Sequence, residues 1–167
     1  SARFRRYAKG AMESRLIPLE PQVMPTTALA PGGIIGGVGH RAPVGVVSCI
    51  TSYNFPVVNM AGKIGPALAM GNTVVVKPSD ITPLVGQCYA ETAAAAGFPP
   101  GVFNLVLGTG AIGAALVADR RVKGLCFTGS YAVGRRIQEA ALDRPELLLA
   151  LEMGGKNTAI VLDDASI

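Results

Sequence analysis

The sequence predicts an α/β protein built around an open, parallel β-sheet. Three observations point there. Half of the 167 residues are hydrophobic and 16% are charged, with Ala, Val, Leu and Gly prominent, a composition suited to strands buried on both faces. From Pro43 onward, short apolar runs alternate with segments of helical spacing. Gly or Pro marks the short loops between them, as expected of right-handed βαβ units. The expected architecture is a Rossmann-like sheet over residues 43–167, preceded by an N-terminal helix and an extended arm over residues 1–42.

Ala2 to Ser14 reads as a helix, and Arg3, Arg5, Arg6 and Lys9 on it supply much of the net charge of +4. No basic stripe interleaved with aromatics extends beyond Arg3 to Tyr7, so these charges read as a solvated face and no nucleic-acid partner is expected. Ile17 to His40 is rich in Pro, Thr and Gly and has no helical period. It reads as extended arms or hairpin strands lying on another part of the protein. Val44 to Ile50 is a β-branched strand, Val57 to Met70 a helix, and Gly71-Asn72 turns the chain into the strand Thr73 to Lys77. Pro83 to Ala96 is a helix ending at Gly97, and Val102 to Leu107 a strand. Ala111 to Ala118 is a helix and Val122 to Phe127 a strand. Tyr131 to Leu142 is a helix and Leu147 to Glu152 a strand, with a further strand expected over Thr158 to Leu162.

Three cysteines, Cys49, Cys88 and Cys126, form no CxxC pair and no zinc-like spacing with His40, the single histidine. No disulfide framework and no metal site are expected, and a reducing, cytoplasmic setting follows as the default. No stretch approaches the length of a membrane span, and the basic N-terminus leads into no signal-peptide core. The chain starts without Met inside a helical stretch, so both ends are expected to be cut from a longer protein.

In parallel sheets ligands bind beyond the carboxyl ends of the strands. Five loops therefore matter. After Ile50 comes Thr51-Ser52-Tyr53-Asn54-Phe55-Pro56, where Asn54 either offers its amide to a developing oxyanion or caps the next helix. After the second strand, Lys77, Ser79 and Asp80 either hold a ribose diol from two sides or form a surface lysine and a helix cap. Gly108-Thr109-Gly110-Ala111-Ile112-Gly113 fits a dinucleotide fingerprint but lacks the acid expected at the end of the next strand. Gly110 and Gly113 thus read as a tight turn near the nucleotide, without the pyrophosphate. Gly129 and Ser130, in the loop that runs on to Val133 and Gly134, offer free N–H groups and a hydroxyl at a helix start, an anion site. Last comes Glu152-Met153-Gly154-Gly155. A carboxylate ending an apolar strand is costly to bury unless it is used, and the two glycines permit close approach.

The joint order of these motifs is specific. Tyr53-Asn54-Phe55-Pro56, then Gly71-Asn72-Thr73 leading to Lys77-Pro78-Ser79, then Phe127-Thr128-Gly129-Ser130, then Leu151-Glu152-Met153-Gly154-Gly155-Lys156 resembles the aldehyde dehydrogenase superfamily over about Arg41 to Ile167. The resemblance implies NAD(P)+-dependent oxidation of an aldehyde to a carboxylic acid through a cysteine thiohemiacetal and thioester. By motif match Asn54 donates to the oxyanion, and Glu152 is the general base for the hydrolytic water, its burial raising its pKa toward neutrality. Lys77 and Asp80 hold the adenosine ribose, with Ser79 between them. Gly129, Ser130 and Val133 line the pyrophosphate and adenine side, and Gly134 and Met153 are counted with them. Ile50, Thr51, Ser52 and Tyr53 run beneath the nicotinamide. Asp80 stands where the family usually has Glu. An acid there repels a 2′-phosphate, so NAD is expected over NADP. The family's catalytic cysteine lies a few tens of residues beyond the glutamate, outside this sequence. Cys49, Cys88 and Cys126 read as structural. The arm Ile17 to His40 implies a homo-oligomer. Two alternatives stay open: a reductase of acyl-CoA or acyl phosphate in the same superfamily, and a non-catalytic nucleotide-binding or oligomerisation module.

Overall fold

The computed structural model describes residues 2–155 and 157–166. Helix α1 (Ala2–Glu13) leads into a two-stranded hairpin, β1 (Leu16–Met24) and β2 (Gly33–His40). The strands are antiparallel, with a register shift between Leu19 and Gln22. Then follow β3 (Val46–Ile50), α2 (Pro56–Ala69), β4 (Thr73–Lys77), α3 (Pro83–Ala95) and β5 (Phe103–Leu105). The chain continues through α4 (Gly110–Ala118), β6 (Val122–Gly129), α5 (Tyr131–Ala140) and β7 (Leu148–Met153). Helices α2 and α3 each open on a proline, whose fixed φ suits the first helical position and whose missing N–H costs nothing there.

The large sheet has five parallel strands in the order β5-β4-β3-β6-β7. The chain runs outward from β3 to β5, then returns to the other side of β3 as β6. That reversal creates a switch point between β3 and β6, where open α/β sheets bind ligands. Each face of the sheet carries its own core. Val47, Cys49, Val74 and Val76 pack with Met60 and Ile64 of α2. Ile50, Leu125 and Phe127 pack on the other face with Val117 of α4 and Ile137 of α5.

The turn at Gly71-Asn72 pins the start of this sheet. Gly71 takes φ 84°, a conformation glycine adopts without steric cost. The buried Asn72 then accepts from the backbone N–H groups of Val44 and Gly45 at 2.7 and 3.1 Å, and donates to Ala67 O at 3.0 Å. One side chain thereby ties the entry of β3 to the end of α2.

Two expectations change. Residues 158–162 form no strand, because an apolar run becomes a strand only where a partner supplies its ladder. The strand expected over Val102 to Leu107 shrinks to Phe103–Leu105 at the sheet's edge. The hairpin adopts the extended form expected of the arm, and every residue of β1 is exposed. His40 at its end accepts a hydrogen bond from Arg15 Nε at 3.2 Å. Among the described residues no helix is long and apolar enough to cross a membrane.

Candidate functional site

A cleft of about 520 Å³ opens at the carboxyl ends of β3, β4 and β6, between α4 and α5. Ile50, Thr51, Ser52 and Tyr53 line it from the end of β3, and Lys77, Ser79 and Asp80 from the end of β4. Gly110 and Gly113 contribute from α4. Gly129, Ser130 and Val133 contribute from the junction of β6 and α5. Residues far apart in sequence thus converge because parallel strands place all their carboxyl ends on one side.

The local chemistry suits a ligand carrying both polar and flat apolar parts. The Thr51 hydroxyl is buried and has no hydrogen-bond partner among the described residues. Lys77 is only 5% exposed, and its Nζ folds back to donate to Pro78 O at 3.1 Å. Lys77, Ser79 and Asp80 line the same cleft. The Asp80 carboxylate accepts from Ser79 Oγ at 3.4 Å. Ser130 caps α5, its Oγ accepting from Val133 N at 3.4 Å, so the positive end of the α5 dipole opens at the cleft. A Cβ on Gly113 would sit 3.7 Å from the Lys77 stem. A side chain there would therefore extend into the space the lysine borders.

The sequence reading missed part of this lining. Ala114, Val117 and Ala118 of α4 and Arg136, Ile137 and Ala140 of α5 also face the cleft. Counting i+3 and i+4 steps from Gly110, Gly113 and Val133 would have found them.

Two expected cofactor residues do not line the cleft. Gly134 is buried inside α5, and a Cβ there would come 2.0 Å from Met153 Sδ. The two are packing partners, Met153 filling the space the missing side chain leaves.

Asn54 and Glu152 also lie outside the cleft lining. Asn54 is exposed in the loop before α2, whose cap is Phe55, so the helix-cap role considered for Asn54 is not the one it has. Its Oδ1 accepts from Ser52 Oγ at 2.8 Å. Glu152 sits near the end of β7, in register with Thr128 of β6. Paired residues of neighbouring strands project from the same face. Thr128 lines the cleft and accepts from Lys63 Nζ at 2.6 Å, so Glu152 projects from the α2 side of the sheet. The expected burial of Glu152 is not found: it is exposed. Strand β7 is at the edge, and its face bearing Leu148, Ala150 and Glu152 is open, while Leu149, Leu151 and Met153 are half-buried.

None of the three free cysteines lines the cleft. Cys49 is buried, and desolvation pushes its thiol pKa up, with Cys126 beside it adding to the rise. Burial likewise raises Cys126. Cys88 is exposed on α3. Among the described residues no group of three His, Cys, Asp or Glu side chains could hold a metal ion.

The parallel strand order and the cleft at its switch point define an open, Rossmann-like α/β fold with a ligand-sized site at the strand ends. The profile of the aldehyde dehydrogenase family matches residues 10–167. The chain belongs to that family. It is 48% identical over 128 residues to mitochondrial succinate-semialdehyde dehydrogenase of Arabidopsis thaliana, covering 76% of this chain and 24% of that protein. It is 39% identical to retinaldehyde dehydrogenase 3 of Rattus norvegicus, covering 98% of this chain and 30% of the relative. Among solved structures, PnpE in complex with nicotinamide adenine dinucleotide superposes with a TM-score of 0.72 at 41% identity, covering 93% of this chain and 30% of that one. An NAD-dependent aldehyde dehydrogenase from Sinorhizobium meliloti gives 0.72 at 37% identity, covering 93% and 29%. The chain spans about a quarter to a third of the length of these relatives.

Proposed function

We propose that this chain supplies the dinucleotide-binding domain of an NAD(P)+-dependent enzyme that oxidises an aldehyde to a carboxylic acid. The observation that carries this reading is the convergence of Thr51, Lys77, Asp80 and Ser130 on one cleft at the sheet's switch point, in a member of the aldehyde dehydrogenase family. The residues fit a dinucleotide. Lys77, Ser79 and Asp80 would hold the ribose, and the α5 start with Gly129 and Ser130 would take the pyrophosphate. Val133 and the α4–α5 walls would flank the adenine, and Ile50 to Tyr53 would lie under the nicotinamide. When bound, NAD(P)+ supplies the hydride acceptor. Asp80 favours NAD, because its carboxylate repels a 2′-phosphate.

The remaining roles follow the chemistry of the thioester route. Asn54 donates its amide N–H to the oxyanion of the tetrahedral species. Glu152 takes a proton from the water that hydrolyses the thioester. Its exposed carboxylate has solvent access, and its place beside Thr128 keeps it near the strand ends. The attacking thiolate comes from the remainder of the whole protein, since burial suppresses the Cys49 and Cys126 thiolates and Cys88 stands away from the cleft. The exposed Leu19, Val23, Ile34, Ile35 and Val38 of the hairpin support assembly with a second copy. The free thiols suit a reducing compartment such as the cytoplasm.

The test is made on the full-length protein that carries this chain. NAD+ should bind with a calorimetric Kd clearly below that for NADP+, and Asp80→Ala should narrow the difference. Glu152→Gln should give one rapid equivalent of NADH per site with an aldehyde and then stall. Sustained acid production by Glu152→Gln would remove the base from Glu152, and failure to bind either nucleotide would end the reading.

A further inference from the structure

The loop between β3 and α2 holds a short polar relay. Asn59, in the first turn of α2, donates from Nδ2 to Ser52 Oγ at 2.8 Å. Ser52 Oγ donates in turn to Asn54 Oδ1 at 2.8 Å. A serine hydroxyl carries one proton. With the Asn59 amide donating to Ser52 Oγ, the serine's own proton is left to point outward, and the atom it faces is the Asn54 carbonyl oxygen. That fixes the sense of the Asn54 amide: Oδ1 is turned into the loop, and Nδ2 is turned away from it. Bonds that run head to tail also polarise one another.

We propose that Ser52 and Asn59 are positioning residues, holding the Asn54 side chain with its N–H donors free for the oxyanion. The proposal rests on the reading of Asn54 given above. An exposed asparagine amide otherwise turns over readily, and in half of its orientations it would present a carbonyl oxygen to a developing negative charge. Catalysis by an oxyanion donor depends on that donor being in place before the charge appears. The relay supplies this from the fold itself. Asn59 is anchored on a helix whose next residues, Met60 and Ala61, are buried in the core, and Ser52 follows the buried Thr51 at the end of a central strand. Asn59 does not line the nucleotide cleft. Its effect on turnover is therefore separable from cofactor binding.

The test is a double-mutant cycle in the full-length protein that carries this chain. A panel of short aliphatic and aromatic aldehydes is assayed, and the best substrate is used throughout. Asn54→Ala should lower kcat by about 10²–10³-fold, the loss expected for one oxyanion donor. Asn59→Leu should lower kcat by about three- to tenfold, the worth of one positioning hydrogen bond. Its NAD+ Kd, read by fluorescence titration, should stay within about twofold, since Asn59 stands off the cleft. In the Asn54→Ala background, Asn59→Leu should cost nothing further. Ser52→Ala supplies a second arm, compared at saturating NAD+ because Ser52 also lines the cleft; its kcat loss should be non-additive with Asn54→Ala in the same way, and Ser52→Thr, which keeps the hydroxyl, should recover part of it. A loss from Asn59→Leu or Ser52→Ala that persists undiminished without Asn54 would overturn the proposal, as would no loss from either. If the unsubstituted protein oxidises no aldehyde, or Asn54→Ala leaves the rate unchanged, the reading of Asn54 itself falls and takes the proposal with it.

Discussion

Lys63 Nζ donates to Thr128 Oγ1 across 2.6 Å, joining the middle of α2 to the end of β6. The pair links the helix that follows Asn54 to the strand that runs beside Glu152, so it braces both ends of the candidate site. Replacing Thr128 by Val keeps the shape and removes the acceptor. Hydrogen bonds to charged groups contribute about 1.5–3 kcal/mol, and Thr128→Val should cost about that much in chemical denaturation. Thr128→Ser should cost clearly less. A Thr128→Val variant as stable as the parent would show that the hydroxyl contributes nothing.

Arg144 is 5% exposed, and its guanidinium donates to Val117 O at 2.7 Å and to Val122 O at 2.5 Å. It satisfies a carbonyl in the last turn of α4 and another at the start of β6, a favourable place for a cation. Arg144→Met fills similar space but leaves both carbonyls without that donor. The expected loss is about 2–4 kcal/mol, seen as a lower denaturation midpoint at unchanged slope. A midpoint within experimental error of the parent would sink the assignment.

The cysteines should separate by reactivity. At mildly alkaline pH a brief pulse of N-ethylmaleimide should modify Cys88 first, because it is exposed. Cys49 and Cys126 should react only after denaturant is added, since burial raises both thiols and thiolate is the reacting form. Peptide mass mapping reads the order. Early modification of Cys49 in the native protein would contradict the packing described for β3.

Asp119 should respond to acid later than an ordinary carboxylate. Hydrogen bonds from the Arg121 side chain and backbone N–H hold its pKa down at about 2, against an ordinary 3.8. A folded-state value below the unfolded one stabilises the fold above the ordinary value, and that stabilisation disappears as pH falls toward the folded one. The pair lies at the surface, so the effect is small. The melting temperature of Asp119→Asn should therefore sit slightly below the parent at neutral pH, with the gap closing between about pH 4 and pH 2. A gap that widens in acid would reverse the sign of this account.

Much of the sheet was legible because its signals are local. Thr73 to Lys77 is a strand of the expected extent, since a β-branched run between Gly71-Asn72 and Pro78 leaves no competing structure. Pro56 and Pro83 each start a helix within one residue of expectation. The cleft's contributors were legible for a different reason: parallel topology collects loops that follow strands. What failed depended on partners that a linear pattern does not name. Thr158 to Leu162 reads as a strand, but its ladder needs a neighbour. Glu152 reads as buried after Leu147 to Leu151, but its exposure is decided by the absence of a described helix over that face of β7. Gly134 and Met153 carry motif positions, yet they pack against each other and are absent from the cleft lining. The Asn59–Ser52–Asn54 relay has no spacing signature, because hydrogen bonds between a loop and a helix follow the fold.

The fit of Gly134 against Met153 carries a consequence for how this family can drift. A Cβ at position 134 would meet Met153 Sδ at 2.0 Å and Cγ at 2.8 Å. The thioether is flexible and can swing aside, but the helix that opens the switch-point cleft would then rest on a different surface. Each position is thus a mutational permission for the other. A lineage that gains a side chain at 134 should also carry a smaller or differently shaped residue at 153. The two positions should change together across related sequences, though neither touches the cleft.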